Sequence, residues 1–190
     1  MSNFIEHELR LSSTPQAVRS IVEDAEDHPA CALVFGGRVV DGCLIRIHSR
    51  CLYGDVFHSS DCDCREQLDR SMELIQKEGS GVIIYLDQEG RGHGLASKAK
   101  GYVLTQTKQL DTYKAYKALG LEEDIREYDI VIEILRLLGL NSIRLLTNNP
   151  SKIVYLETAG IRAERVPIVI QPTAQTKGYL GAKKNKGHLL

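Results

Sequence analysis

Two kinds of apolar pattern alternate along this chain. Short apolar runs of strand length, bounded by glycine or polar turn residues, stand at 30–37 (ACALVFGG), 42–49 (GCLIRIHS), 81–86 (GVIIYL), 142–148 (SIRLLTN) and 161–171 (IRAERVPIVIQ). The first two read as strands joined by a turn that contains glycine and aspartate, and the continuous run at 81–86 reads as a buried strand. Between these runs the spacing is helical. In 64–79, Leu68, Met72 and Ile75 form one stripe and Gly79 marks the end. Residues 93–108 predict a helix that Gly101 weakens, and 111–120 a short helix capped by Asp111 and Gly120. The stretch 128–139 (YDIVIEILRLLG) is too apolar for a surface helix and predicts a buried one. A last helix over 149–160 has Asn149 as cap, Pro150 at its first position and Gly160 at its end. Strands with intervening helices predict an α/β fold: a three-layer domain with a mixed β-sheet flanked by helices. We expect one domain over 1–190, with about 171–190, rich in Lys and Gly, as a partly mobile C-terminal tail.

Composition narrows the function. The 190 residues carry a formal net charge of −1, without the basic excess of a non-specific nucleic-acid binder. A local basic pocket for one small anion remains open. No stretch approaches the roughly 20 apolar residues of a membrane span. The start, MSNFIEHELRLSSTPQ, lacks the basic and apolar regions of a secretory signal, so a cytoplasmic protein is expected, with no membrane and no nucleic-acid partner. Five cysteines do not suit a closed disulfide framework. In a reducing compartment, clustered cysteines are more often metal-binding or catalytic.

Three of them cluster in CLYGDVFHSSDCDC, as Cys51, Cys62 and Cys64. Zinc takes thiolates, and three protein ligands leave a fourth position for water, whose pKa then falls to about 7. A structural site closed by His58, or less readily by His48 or Asp61, is the alternative, and buried thiols without metal a third. Cys31 and Cys43 lie in apolar runs and read as core residues. Two further stretches could hold a ligand. YLDQEGRGHGLASK follows a strand and opens a helix, but its G-x-G-x-G spacing is neither a Walker loop nor a dinucleotide fingerprint. Within it Glu89 and Arg91 flank Gly90, and a carboxylate can accept from both N–H donors of a guanine edge. In LLTNNPSK a helix starts after a strand, where exposed N–H groups and Lys152 suit an anion.

Taken in order, RIHSRCLYGDVFHSSDCDCREQL, YLDQEGRGHGL, LDT, DIREYD, LLG and RLLTNNPSK resemble the GTP cyclohydrolase II family, from about Arg46 to the terminal GHLL. The resemblance implies zinc-dependent opening of the imidazole ring of GTP, with release of formate and pyrophosphate, as the first step of riboflavin synthesis. It places zinc on Cys51, Cys62 and Cys64. It places the nucleotide on Arg46, Ile47, His48, Ser49, Arg50, Gln67, Glu89, Gly90, Arg91, Thr112, Thr147 and Lys152. Catalytic roles fall on Tyr102, Asp124 as proton acceptor and Arg126 as nucleophile toward the α-phosphorus. Because arginine stays protonated, we read Arg126 instead as a phosphate clamp. The resemblance further implies a homodimer and Mg2+ on the triphosphate. The chain departs from the family pattern at Arg50, Tyr53, His58, Arg65, His93, Lys114 and Tyr116. Those departures leave open a paralogue that stops at the formamide or takes another purine nucleotide, and a non-catalytic zinc and nucleotide-binding regulator.

Overall fold

A computed structural model describes residues 3–26, 29–173 and 175–189. Seven strands form one mixed sheet: β1 (Phe4–Arg10), β2 (Ala17–Glu23), β3 (Ala30–Phe35), β4 (Leu44–Ser49), β5 (Gly81–Leu86), β6 (Ser142–Leu146) and β7 (Arg162–Val166). Their order is β1-β2-β3-β5-β4-β6-β7. The pairs from β1 to β5 are antiparallel, and β5-β4, β4-β6 and β6-β7 are parallel. Among the described residues six α-helices accompany them: α1 (Cys64–Glu78), α2 (Gly94–Lys108), α3 (Thr112–Ala118), α4 (Asp129–Leu137), α5 (Pro150–Thr158) and α6 (Lys177–Asn185).

Side chains on a strand alternate between faces, and this alternation builds three layers. On one face Ile45, Ile47, Val82, Ile84 and Leu86 pack with Val131, Ile134 and Leu135 of α4 and Leu156 of α5. On the other, Leu44, Ile83 and Leu146 meet Ile75 of α1, with Leu68 and Met72 beside it. Each fully buried Ile or Leu contributes about 1.5–3 kcal/mol relative to exposure. The periodicity that sends Ile45 and Ile47 to α4 sends Arg46 to the α1 face, where it meets Gln67.

Four features differ from the sequence reading. The runs at 30–37 and 42–49 are strands, but β5 lies between them, because the parallel β4-β5 pair needs the long α1 crossover. The hairpin β1-β2 had no clear pattern, because β1 is an edge strand exposed at nearly every position. The last strand stops at Val166, ahead of Pro167, which cannot donate to a ladder. Within the expected tail, 177–185 is helical, with Leu180 and Ala182 buried. Residues 174 and 190 of that tail lie outside the described residues.

Candidate functional site

The sulfurs of Cys51, Cys62 and Cys64 come together with all three within 4.8 Å of one another. Cys51 lies two residues past the end of β4 and caps a turn of π-helix (Leu52–Val56), while Cys62 and Cys64 flank the N-cap of α1. The Cys51–Cys62 separation is 3.7 Å. A tetrahedral ion with bonds of about 2.3 Å to sulfur has edges of about 3.8 Å, so the pair has the spacing of two zinc ligands. Among the described residues no His, Asp or Glu joins this group. His58 is exposed, at φ 55, and accepts from Arg65 at 3.0 Å. Asp61 is exposed and accepts from Ser59, and His48 is turned toward Asp55. Cys51 is the most acidic thiol, because the Cys62 and Cys64 thiols and then Lys98 donate to it. Its neighbour Cys62 is pushed up to about 11 by that bond to Cys51. Three thiols this close cannot all ionise until a cation joins them.

Gly54 faces the cluster. A Cβ there would lie 3.0 Å from Cys62 Sγ, 3.1 Å from Cys64 Cβ and 3.2 Å from Cys51 Sγ. Gly54→Ala is therefore expected to keep the fold and to weaken metal binding by about tenfold or more, measured by competition with a chromophoric chelator.

A polar scaffold holds the cluster. Asp55 accepts the Cys51 N–H at 2.9 Å and the Tyr85 hydroxyl at 2.9 Å, and His48 Nε2 lies 3.2 Å from both its oxygens. Burial holds the His48 pKa below the usual value, so Nε2 donates to Asp55 while Nδ1 accepts from Arg46 at 3.4 Å. Glu89 is buried and accepts from Leu52 N (2.6 Å), Gly90 N (3.0 Å) and Lys98 Nζ (2.8 Å). Lys98 Nζ also stands 3.1 Å from Cys51 Sγ. Burial opposes its charge, but Cys51 and Glu89 outweigh that and raise its pKa.

These groups line a cleft of about 530 Å3, within the range of small-molecule sites. The far side of the cleft is cationic. Arg46 is buried, donates to Leu146 O (3.0 Å) and Gln67 Oε1 (2.7 Å), and leaves Nε without a partner. Burial lowers its pKa to about 10. Lys152 is buried near the start of α5 and donates to Ile47 O at 2.8 Å. Burial first, then Arg46 and Arg126, depress its pKa. Neither cation has an ion-pair partner among the described residues.

Arg126 is different. It grips Asp124 through Nε (2.8 Å) and a second nitrogen (2.5 Å), and reaches Ser49 Oγ at 3.3 Å. Burial works against its charge, but Asp124 holds the guanidinium still more firmly protonated. The segment is set by the glycine-rich turn (Glu89–Gly92): Ile125 N donates to Arg91 O, and a Cβ on Gly92, at φ +91, would lie 2.8 Å from Ile125 Cγ1.

Of the residues singled out in sequence, Arg46, His48, Ser49, Arg50, Gln67, Glu89, Gly90, Arg91, Tyr102, Thr112, Arg126, Thr147 and Lys152 line the cleft with the three cysteines. Arg50 pairs with Asp87 at 2.8 Å, and Arg91 stacks 3.6 Å above the Tyr113 ring. Tyr102 meets Tyr53 edge-on, and burial followed by the Cys62 sulfur raises its phenol above the usual range. Ile47 turns its side chain into the opposite core and offers only its carbonyl, to Lys152. Lys98, Asp55 and Asp63 escaped the sequence reading. Lys98 lies one turn into α2, four residues past Gly94, and that spacing was the available signal.

The GTP cyclohydrolase II family profile matches residues 7–167. The riboflavin biosynthesis protein RibBA of Aquifex aeolicus is 46% identical over 183 residues, 95% of this chain and 42% of that protein. RibBA of Bacillus subtilis is 47% identical over 172 residues, 88% of this chain and 42% of its own length. The GTP cyclohydrolase-2 of Buchnera aphidicola is 46% identical over 162 residues, 84% of this chain and 83% of its own. The chain belongs to the GTP cyclohydrolase II family. It spans about two fifths of the length of the RibBA relatives. The family profile ends at residue 167, so α6 lies beyond it. No helix among the described residues is long and apolar enough to cross a membrane, and all five cysteines are free thiols.

Proposed function

We propose that the protein hydrolyses GTP as a zinc-dependent GTP cyclohydrolase II, giving formate, pyrophosphate and 2,5-diamino-6-(5-phosphoribosylamino)pyrimidin-4-one for riboflavin synthesis. The observation that carries this reading is one cleft that joins three convergent thiols to two buried cations, Arg46 and Lys152, with no ion-pair partner among the described residues. Such cations call for an anion, and the triphosphate supplies it. Zinc on Cys51, Cys62 and Cys64 supplies Lewis-acid activation of water at neutral pH.

The chain's own residues do the rest. Arg46 and Lys152 hold phosphate oxygens, and Thr147 lines the same cleft. The Asp124-held Arg126 clamps the α-phosphate as pyrophosphate leaves; a guanidinium so firmly protonated is no nucleophile. Asp124 orients it and accepts a proton from the attacking water. Glu89 already accepts three chain donors, so it fixes Leu52 and Lys98, and Oε2 retains one lone pair for a guanine N–H. Tyr102 stays protonated and donates at the purine edge as the C8–N bond opens. One water enters at C8 to open the ring, a second releases formate, and a third takes the α-phosphorus. Mg2+ on the triphosphate and a homodimer complete the reading. The free thiols suit a reducing, cytoplasmic compartment.

Incubating zinc-loaded protein with GTP and Mg2+, with assays for formate, pyrophosphate and the pyrimidine, tests it. Formate with pyrophosphate is expected. A formamidopyrimidine without formate would reduce the activity to ring opening, and unchanged GTP would remove it.

A further inference from the structure

The segment after β7 returns to the cleft. Asn148 clamps it at both ends: its side chain donates to Ile168 O at 2.6 Å and accepts Ile168 N at 3.0 Å, and its carbonyl accepts Leu189 N at 2.9 Å. Between these points α6 buries Leu180 and Ala182 and turns Tyr179 and Lys183 toward the cleft, with His188 just beyond. Lys183 donates to Asp63 Oδ1 at 2.8 Å, across 120 residues of sequence. The Asp63 side chain is 2% exposed and that of Lys183 is 13% exposed. The other Asp63 oxygen accepts Gln67 Nε2 at 2.5 Å, and Gln67 in turn holds Arg46. Asp63 is the residue between Cys62 and Cys64.

We propose that Lys183 is a positioning residue that, through Asp63, holds the Cys62–Cys64 hairpin in its ligating geometry, and that α6 forms the closing wall of the nucleotide cleft. This rests on the reading of the cleft as a zinc and nucleotide site. Two links run from Lys183. One passes through Asp63 to the peptide units of both ligands. The other passes through Asp63 and Gln67 to the guanidinium assigned to phosphate. A single ammonium thus ties the C-terminal helix to the metal loop and to the anion side. Exposed ion pairs at the surface have no such reach, because water replaces either partner. With Lys183 removed, Asp63 keeps a buried carboxylate with Gln67 as its remaining side-chain partner. The hairpin then gains the freedom to turn Asp63 toward solvent, which rotates both sulfurs out of place.

The test uses the zinc-loaded 190-residue chain with Lys183→Met and Lys183→Arg. Zinc release to a chromophoric chelator is followed without nucleotide and well below the melting temperature, so its outcome is independent of whether GTP is the substrate. For Lys183→Met we expect release to accelerate by about tenfold to a hundredfold, the usual effect of losing an outer partner of a metal ligand. KM for GTP should rise as well, while Lys183→Arg restores both to within about threefold of the parent, because arginine keeps the charge-assisted bond. Release and KM unchanged in Lys183→Met would overturn the proposal, even with a lowered melting temperature, since a merely structural pair moves only the latter. Equal impairment by Met and Arg would overturn it too.

Discussion

Replacing Cys62 by serine is expected to strip the protein of zinc and abolish formate release from GTP. Cys62 lies 3.7 Å from Cys51, one edge of the triangle that the three sulfurs form. A serine hydroxyl does not ionise near neutral pH, and its oxygen is harder and sits closer to Cβ than sulfur does. Two thiolates then remain, and the hairpin that presents Cys64 loses its register. The loss should exceed the roughly 10–100-fold that follows removal of a group merely supporting a ligand. The comparison is Cys31→Ser: Cys31 lies on β3 with its sulfur 3.6 Å from Ser20 Oγ, away from the cluster, and this variant should retain zinc and turnover. Zinc content by atomic spectroscopy and formate by coupled assay decide the matter. A Cys62→Ser protein that is metal-free and active would refute the metal assignment and, with it, the proposed chemistry.

The site was legible in sequence where one residue type carries the chemistry and partly hidden where folding assigns the partners. Three cysteines in C-x10-C-x-C pointed to a metal site, with buried thiols without metal as an alternative that spacing left open. Whether a fourth ligand closes it could not be read from spacing, since His58 lies only four residues before Cys62. Its backbone at φ 55 turns the ring outward to Arg65, and no neighbour in sequence foretells that. Lys98 and Asp55 are ordinary charged residues in sequence; burial next to Cys51 gives them their roles. The fold shows the same division. Continuous apolar runs and capped helical stripes located β3 to β6 and α1 to α5 to within a few residues, while β7 was placed but read five residues too long, past Pro167. Strand order was not local information: β5 enters between β3 and β4 only because a helix-length crossover precedes it. The hairpin β1-β2 and α6 left weak patterns, the first because it forms an edge, the second because it has few apolar positions among its lysines and glycines.

Lys152→Met is expected to make the protein more stable and a poorer binder of triphosphate. The Lys152 ammonium is buried, donates to the Ile47 carbonyl, and stands with Arg46 and Arg126 near the N-terminal end of α5. That end of a helix carries positive partial charge, so an ammonium there meets an unfavourable dipole as well as two guanidinium neighbours. In the free protein its charged form is costly, which is why its pKa falls well below the usual lysine value. Methionine keeps most of the aliphatic stem and removes the charge, and replacing buried ionic groups by apolar ones of similar volume is often stabilising. A gain of about 1 kcal/mol would raise the melting temperature by about 2–4 °C in a chain of this size. Bound triphosphate reverses the balance, because Lys152 then gains a charge-assisted bond of about 1.5–3 kcal/mol. The variant should therefore lose roughly 10–150-fold in affinity, seen as a higher KM for GTP, while zinc content stays at the parent level. Thermal melts without ligand and steady-state kinetics read the two effects separately. A variant that melts lower and keeps its KM would make Lys152 a structural cation and leave Arg46 and Arg126 to hold the phosphates.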